Sequence, residues 1–450
     1  MKKAFVIIIC KILTRIGKLV GKGSSLPGKI ALKLCPDILS RIKFCKHVIA
    51  VTGSNGKTST VELIAHVLSE CGYKVAYNKE GSNQIEGVTT LVLNDCTLSG
   101  KVRSEVLIVE SDERFARYTF SHFSPTLYVA TNLYRDQLSR NGHPEMVFDC
   151  ILDSIKNDDT TLVLNADDPL VSLFAKNHPK TVWFGVEKTA LSKGHNDSVY
   201  NDGAFCPNCK EKMSYDYYHY AHIGSYNCPA CGHKRHNPQY SVTSLDLDSG
   251  TVTINEKYKL SLFLKSIYNV YNSLAAFAVA DLVGADPEKA AAAISNYVLK
   301  NGRLTCFKVG SRRGVLLTSK HENSVSYNQS IELSRSAKEP CTVVIIVDAI
   351  SRKYFTGEIS WLWDIDFEKL DHPNITKIIL AGRYAYDLAN RFEYTNIPRE
   401  RIKQVLDVAA LPAELLNGRG DIITITCFSD RDKLLSRVET VAPEECGLPF

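Results

Sequence analysis

A chain of 450 residues is too long for one small unit and suits roughly three domains of about 150 residues each. Hydrophobic residues at 44% and charged residues at 23% exclude disorder and low-complexity builds. The 54 Lys and Arg against 49 Asp and Glu leave a net charge of +5, too dilute to imply nucleic acid, yet not repelled by an anionic membrane.

The first predicted element is a helix over residues 4 to 20. Ala4 to Cys10 is apolar, Lys11 interrupts it, and Leu13, Ile16, Leu19 and Val20 continue at helical spacing. No small-x-small cleavage site precedes Arg15, Lys18 and Lys22, so this is an amphipathic helix rather than a signal peptide. It either packs on a domain or lies on a membrane surface. No stretch approaches the ~20 apolar residues of a span. The expectation is a soluble or peripheral cytoplasmic protein, with contact at the inner face of the cell membrane left open.

His47 to Val51 is a β-branched run that leads into Thr52-Gly53-Ser54-Asn55-Gly56-Lys57-Thr58-Ser59-Thr60. Val61, Ile64, Ala65 and Leu68 then recur at helical spacing, with Gly72 placed as a C-cap. A helix N-terminus therefore faces a glycine loop. Such a loop turns backbone N–H groups onto phosphate oxygens, Lys57 reaches the terminal phosphates, and Thr58 offers a hydroxyl to Mg²⁺. The alternative is an ordinary tight turn between strand and helix. Further on, Val106 to Glu113 reads as a buried strand that delivers Glu110 to its C-terminal end, where a carboxylate can hold the Mg²⁺ of a nucleotide. Otherwise Glu110 is a solvated loop acid.

The two-residue spacing between Gly53 and Gly56 resembles the ATP loop of the Mur ligases, which form peptide bonds at the expense of ATP. Residues Thr126 to Leu138, with Asn132-Leu133-Tyr134-Arg135-Asp136-Gln137-Leu138, resemble a segment of one branch, the MurT proteins. Gly23 to Leu32 and Tyr268 to Ala276 resemble two more of its segments, the second lining the nucleotide pocket. Gly302-Arg303 follows the family pattern, with Thr305 in the place of its glutamate. The resemblance implies that Gly53, Asn55, Gly56, Lys57, Thr58, Ser59, Asn132, Asn269 and Arg303 bind ATP. It also implies Mg²⁺ on Thr58 and Glu110, with Lys57 and Glu110 taking part in catalysis.

Fourteen cysteines divide into ten scattered ones, read as small buried hydrophobes in a reducing cytoplasm, and four that form a pattern. Cys206-x₂-Cys209 and Cys228-x₂-Cys231 have the spacing of a structural Cys₄ zinc ribbon. His219, His222, His233 and His236 are nearby substitutes as ligands, and a redox dithiol pair is the competing reading. MurT proteins carry such a ribbon within the central domain.

Runs at Tyr240 to Leu245, Thr251 to Ile254 and Tyr258 to Leu264 read as strands. Asp286-Pro287-Glu288 opens an alanine-rich helix to Val298. In the last third, strands at Gly314 to Leu317, Thr342 to Val347, Lys377 to Ala381 and Asp421 to Thr426 alternate with helical patterns such as Tyr384 to Phe392. The fold class is therefore α/β: a helical segment over 1–45, a Mur-ligase-type nucleotide domain over 46–301 with the ribbon inserted at about 204–236, and a smaller α/β domain over 302–450. Asp348 follows an apolar strand. In the family an aspartate there is proposed to orient the histidine of a partner glutaminase, although Val347 and Ala349 flank it differently here. Lys320, Tyr327 and Asn328 fit the family's substrate stretch loosely, and Asp364 and Asp366 are either structural or part of a site.

The resemblance implies ATP-dependent amidation of the α-carboxylate of D-glutamate in the lipid II stem peptide, through an acyl phosphate. No G-x-C-x-G nucleophile elbow occurs in the sequence. Ammonia is then expected from a class I glutaminase subunit resembling GatD, in a heterodimer without nucleic acid. The alternatives are an amino-acid-adding Mur or folylpolyglutamate-type ligase, and a nucleotide-gated or nucleic-acid-binding protein without ligase chemistry.

Overall fold

The computed structural model describes residues 2–19, 25–78, 82–298, 304–350 and 358–442. They fall into two compact units. Unit 1 holds Met1–Tyr134, His143–Asn196 and Asn201–Val298; unit 2 holds Arg135–Gly142, Asp197–Tyr200 and Leu299–Phe450.

In unit 1 the strands are β1 (His47–Thr52), β2 (Val75–Tyr77), β3 (Val106–Glu110), β4 (Leu127–Ala130), β5 (Thr161–Asn165), β6 (Thr181–Val186), β7 (Ser214–Tyr220), β8 (Ile223–Asn227), β9 (Tyr240–Asp246), β10 (Thr251–Ile254) and β11 (Tyr258–Ser261). Nine of them form one sheet in the order β11-β10-β9-β6-β5-β4-β1-β3-β2, and β7 pairs with β8 in a separate hairpin. β1, β3 and β4 are almost wholly buried, as their continuous apolar sequences require of central parallel strands. β1 runs parallel to β3 on one side and β4 on the other, with Val51 level with both Glu110 and Val129. The chain thus leaves β1 at a switch point, where open sheets bind ligands beyond the strand ends. This register brings three sequence-distant loops to one edge.

Helix α1 (Lys2–Leu19) packs with α2 (Leu26–Leu34) and with α4 (Ile85–Asp95). Val6, Ile7 and Cys10 share a buried cluster with Ala31, Cys35, Val88 and Val92. Gly28 permits the close approach of α2 to α4, since a Cβ there would sit 1.8 Å from the Glu86 carbonyl oxygen. Helix α3 (Lys57–Glu70) follows the glycine loop and ends before Gly72, whose φ of 92° is left-handed as a C-cap glycine demands. Asp286 caps the helix Pro287–Ser295 by accepting from the Lys289 amide at 2.9 Å, but that helix stops at Ser295, short of the expected Val298.

Unit 2 contains β12 (Leu304–Val309), β13 (Arg312–Ser319), β14 (Cys341–Ile346), β15 (Ile375–Ala381), β16 (Ile402–Val405), β17 (Asp421–Cys427) and β18 (Glu439–Val441), in the order β16-β15-β14-β17-β13-β12-β18. Apolar clusters cover both faces of β14, one containing Val343 and Ile345, the other Val344 and Ile346. The four expected strands are present; β12, β16 and β18 were not anticipated. The two short stretches drawn from the middle of the sequence are fastened to this unit by polar contacts. Arg135 pairs with Asp364 at 2.9 Å, Asp136 accepts from Asn323 at 2.6 Å, and Asp366 accepts from the Val199 amide at 2.8 Å. Asn328 exchanges two hydrogen bonds with Asp366, and Tyr327 is fully buried.

Candidate active site

The loop between β1 and α3 is built by its neighbours as much as by its own glycines. Gly53 has φ 136°, and a Cβ there would lie 2.1 Å from Thr131 Oγ1. Gly56 has φ 82°, and a Cβ would meet Asn272 Oδ1 at 2.4 Å. No side chain caps α3 at Gly56. Its first-turn amides are the kind that bind an anion, with the helix dipole adding positive potential. Ser59, half-buried, lies in that first turn.

Asn132 braces the loop. Its Oδ1 accepts from the Asn55 amide at 2.9 Å and its Nδ2 donates to the Asn55 carbonyl at 3.2 Å, so both ends of the side chain hold the backbone. Thr131 Oγ1 donates to the same carbonyl at 2.9 Å, and Ser54 Oγ donates to the Tyr134 carbonyl at 2.9 Å. Asn269 sits at the start of the helix Ile267–Val283 and donates to the Leu264 carbonyl at 3.1 Å. One turn on, Asn272 accepts from Thr60 at 3.2 Å and closes the space beside Gly56. Asn272 lies within the segment Tyr268 to Ala276, whose pattern alone does not tie it to the loop. Arg303 lies outside the described residues.

Lys57 is buried, and its ammonium contacts the Gly53 carbonyl and the Glu113 carboxylate, which is itself buried. Glu113 stands three residues past Glu110, and only the paired registers of β1 and β3 reveal it as the counter-ion of Lys57. Glu110 Oε1 accepts from Thr58 Oγ1 at 3.1 Å. Its second oxygen is buried without a hydrogen-bond partner. An unsatisfied carboxylate oxygen beside a hydroxyl fits a hard divalent cation, so the residues expected to hold Mg²⁺ are brought together.

The four ribbon thiols converge. Cys206 and Cys231 sulfurs are 3.6 Å apart, Cys209 and Cys228 3.4 Å, and all four lie within 4.8 Å of one another. Zinc with bonds of ~2.3 Å in a tetrahedron separates its sulfurs by about 3.8 Å, so the set fits such an ion. Two equivalent turns present them, with Lys210 (φ 67°) and Gly232 (φ 73°) in the left-handed region just past each second cysteine. The four histidines are engaged elsewhere. His219 Nε2 is 3.0 Å from the Val186 carbonyl, His233 Nε2 is 2.9 Å from the Pro169 carbonyl, and His236 stacks on Trp183 at 4.0 Å. His222 faces Asp168 at 3.8 Å; burial opposes its charging, but Asp168 outweighs it and raises the imidazole pKa.

These contacts join the ribbon to the loop. Asp168 also accepts from the Leu133 amide at 2.7 Å, next to Asn132. Asp167 accepts from Arg235 at 2.6 Å and from the Tyr271 hydroxyl at 2.6 Å, and Tyr271 is the neighbour of Asn272. Neither aspartate was singled out in the sequence, because nothing local distinguishes them from turn acids.

In unit 2, Asp348 follows β14 and Asp430 follows β17. The Asp430 carboxylate accepts from the amides of Asp348 and Ala349 at 2.8 and 2.9 Å. Asp348 itself takes the Arg383 amide at 2.7 Å and pairs with Lys433. Burial works against its ionisation, yet Lys433 and the Arg383 amide hold its carboxyl below the ordinary range. Asp348 is therefore a carboxylate at neutral pH, partly open beside a cavity of about 540 Å³ lined by Asp407, Ser429, Lys433 and Arg437.

A phosphate loop of this short form at the switch point of a parallel sheet, with a cation-ready glutamate on the next strand, defines an ATP-dependent ligase of the Mur type. Residues 51–280 match the Mur ligase middle domain, and residues 321–427 match the MurT ligase C-terminal domain. The chain belongs to the MurT family. The MurT subunit of the glutamine-hydrolysing lipid II isoglutaminyl synthase of Streptococcus pneumoniae R6 is 32% identical over 394 residues, covering 86% of this chain and 85% of that one. The corresponding subunit of Staphylococcus aureus COL is 29% identical over 97% and 98% of the two chains. Among solved structures, a pseudomurein peptide ligase type C from Methanothermus fervidus shares the fold at a TM-score of 0.68 and 22% identity, over 89% of this chain and 80% of that one. The MurF ligase of Thermotoga maritima in complex with ADP shares it at 0.59 and 16%, over 91% and 83%.

Proposed function

We propose that this chain is the ligase subunit of a lipid II isoglutaminyl synthase. It converts the α-carboxylate of D-glutamate in the lipid II stem peptide to the amide of D-isoglutamine, with ATP as co-substrate and ammonia from a GatD-like class I glutaminase in a heterodimer. Similarity along nearly the whole length of relatives bearing that name carries the reading.

The loop Gly53–Thr58 and the first-turn amides of α3 bind the phosphates, and Lys57 leaves Glu113 to neutralise the transferring group. Thr58 and Glu110 would hold Mg²⁺, which supplies positive charge across the phosphate oxygens. Asn132 and Asn272 keep the loop in its binding shape, with Ser59 and Asn269 completing the nucleotide pocket. The acceptor carboxylate attacks the γ-phosphorus of ATP, the bond to the leaving ADP breaks, and an acyl phosphate forms. Ammonia adds to the carbonyl carbon, the bond to phosphate breaks, the proton lost from nitrogen passes to the leaving phosphate, and the amide and inorganic phosphate are released. The ribbon cysteines Cys206, Cys209, Cys228 and Cys231 hold structural zinc. Asp348 accepts a hydrogen bond from the glutaminase histidine and fixes its tautomer. The reaction takes place in the cytoplasm, at the inner face of the cell membrane.

The test is reconstitution with a class I glutaminase, lipid II, Mg-ATP and glutamine, with the product read by mass spectrometry. Glutamine-dependent conversion of carboxyl to carboxamide is expected. ADP release that requires an added amino acid and ignores ammonia would overturn the reading in favour of an amino-acid-adding ligase.

A further inference from the structure

Helix α1 has two apolar faces, and among the described residues only one of them is used inside unit 1. Val6, Ile7, Cys10, Thr14 and Gly17 are buried against α2 and α4. On the opposite side Phe5, Ile8, Ile12, Ile16 and Leu19 are 59, 40, 50, 53 and 87% exposed. At 3.6 residues per turn these five fall within one stripe about 80° wide. A continuous ridge of large apolar side chains in water marks a surface that meets something else.

The charges beside the ridge identify what it meets. Helix α1 carries Lys2, Lys3, Lys11, Arg15 and Lys18 and no acidic residue. On the helical wheel Lys11, Arg15 and Lys18 edge the ridge along one side, Lys11 with its ammonium donating to the Asn94 and Cys96 carbonyls and Arg15 and Lys18 exposed. The same three line a cavity of about 540 Å³, walled by β2 and α4, to which Arg103 adds a fourth basic group against the single acid Asp95. An apolar stripe bordered by Lys and Arg is the pattern of a helix lying in a bilayer interface, where the stripe enters the acyl boundary and the bases face phosphate. A second copy of the chain fits poorly, because a two-fold contact along α1 sets two acid-free, cationic helices against each other.

We propose that the outer face of α1 is a docking surface for an anionic phospholipid bilayer, with the neighbouring basic cavity taking lipid phosphate. The inference deepens the membrane-side location proposed above and rests on it for its setting. It explains why the sequence alone left two readings of this helix open: the inner face packs on the domain, and the outer face is free for lipid.

The test is flotation of the full-length chain with vesicles of phosphatidylglycerol and phosphatidylcholine, against phosphatidylcholine alone, at two salt concentrations. Binding is expected only to the anionic vesicles, weaker at high salt, and reduced about tenfold or more in Ile8→Ser/Ile12→Ser and in Arg15→Gln/Lys18→Gln. Because the substituted side chains face outward, the thermal melt of both variants should match the parent, and amidation of a detergent-dispersed acceptor should persist. Equal binding by parent and variants, or no binding to anionic vesicles, overturns the proposal. So does a ridge substitution that abolishes self-association or glutaminase binding while lipid binding is absent. Failed amidation alongside intact flotation tells against the catalytic reading instead.

Discussion

At the scale of single residues, the site stores charge in a way that separates turnover from stability. Lys57 and Glu113 are both buried and paired, so Lys57→Met removes the group that neutralises the transferring phosphoryl and also leaves a buried carboxylate without its partner. Turnover should fall about 10²-fold or more. Stability to urea should fall by about 3–5 kcal/mol. The double variant Lys57→Met/Glu113→Gln should recover most of the stability and none of the activity. Recovery of turnover in the double variant would show that Lys57 does not serve phosphoryl transfer. Glu110→Gln removes the charge but keeps the hydrogen bond to Thr58, and the Mg²⁺ concentration for half-maximal rate should rise about tenfold or more, read from a Mg²⁺ titration. For Asp348, whose folded pKa is depressed below the ordinary 3.8, the pair with Lys433 stabilises unit 2 above that value and is lost as pH falls through the lower folded value. Asp348→Asn should therefore flatten the acid limb of stability measured from pH 5 downward. It should also abolish glutamine-dependent amidation while sparing ammonia-dependent amidation.

At the scale of elements, the ribbon is more than an insertion. It reaches the nucleotide loop along two lines, Arg235 to Asp167 to Tyr271 beside Asn272, and His222 to Asp168 to Leu133 beside Asn132. Removing the proposed zinc should let the two cysteine turns separate and loosen both lines. Stripping with a chelator, or Cys209→Ser, should change the emission of Trp183, which stacks on His236, in a chain carrying Trp361→Phe and Trp363→Phe. Nucleotide affinity should weaken in the same titration and return with added zinc. An unchanged Trp183 signal after complete metal removal would mean that the ribbon holds its position without the ion.

At the scale of the whole molecule, the path of the chain is less simple than a division into consecutive domains. Arg135–Gly142 and Asp197–Tyr200 belong to unit 2, although the sequence around them builds unit 1. Asp366 is one anchor: it is buried, its pKa is raised by burial, and it binds Lys369, Asn328 and the Val199 amide. Asp366→Ala leaves Lys369 with Asp197 and Glu332 only, removes the acceptor of the Val199 amide, and loosens the 197–200 stretch. Unit 2 should lose about 1–3 kcal/mol in urea, with faster proteolysis at 197–200. Proteolysis unchanged from the parent would show that the stretch is held by other contacts. Among the described residues no helix is long and apolar enough to cross a membrane.

Residue order alone specifies the features that rest on local chemistry. The glycine loop, the C-x₂-C pairs, the cap at Asp286 and the apolar strands are contiguous patterns whose backbone demands follow from the residues themselves, and the structure contains each of them. Which distant groups meet is set by the packing of the folded chain. Glu113 as the partner of Lys57, Asn132 as a brace for Asn55, Asn272 against Gly56, and Asp167 and Asp168 as links to the ribbon all depend on strand order and register, which place residues tens to hundreds of positions apart within hydrogen-bond distance. The two faces of α1 show the same division. Periodicity establishes that the helix is apolar, but which side is buried depends on where α2 and α4 lie.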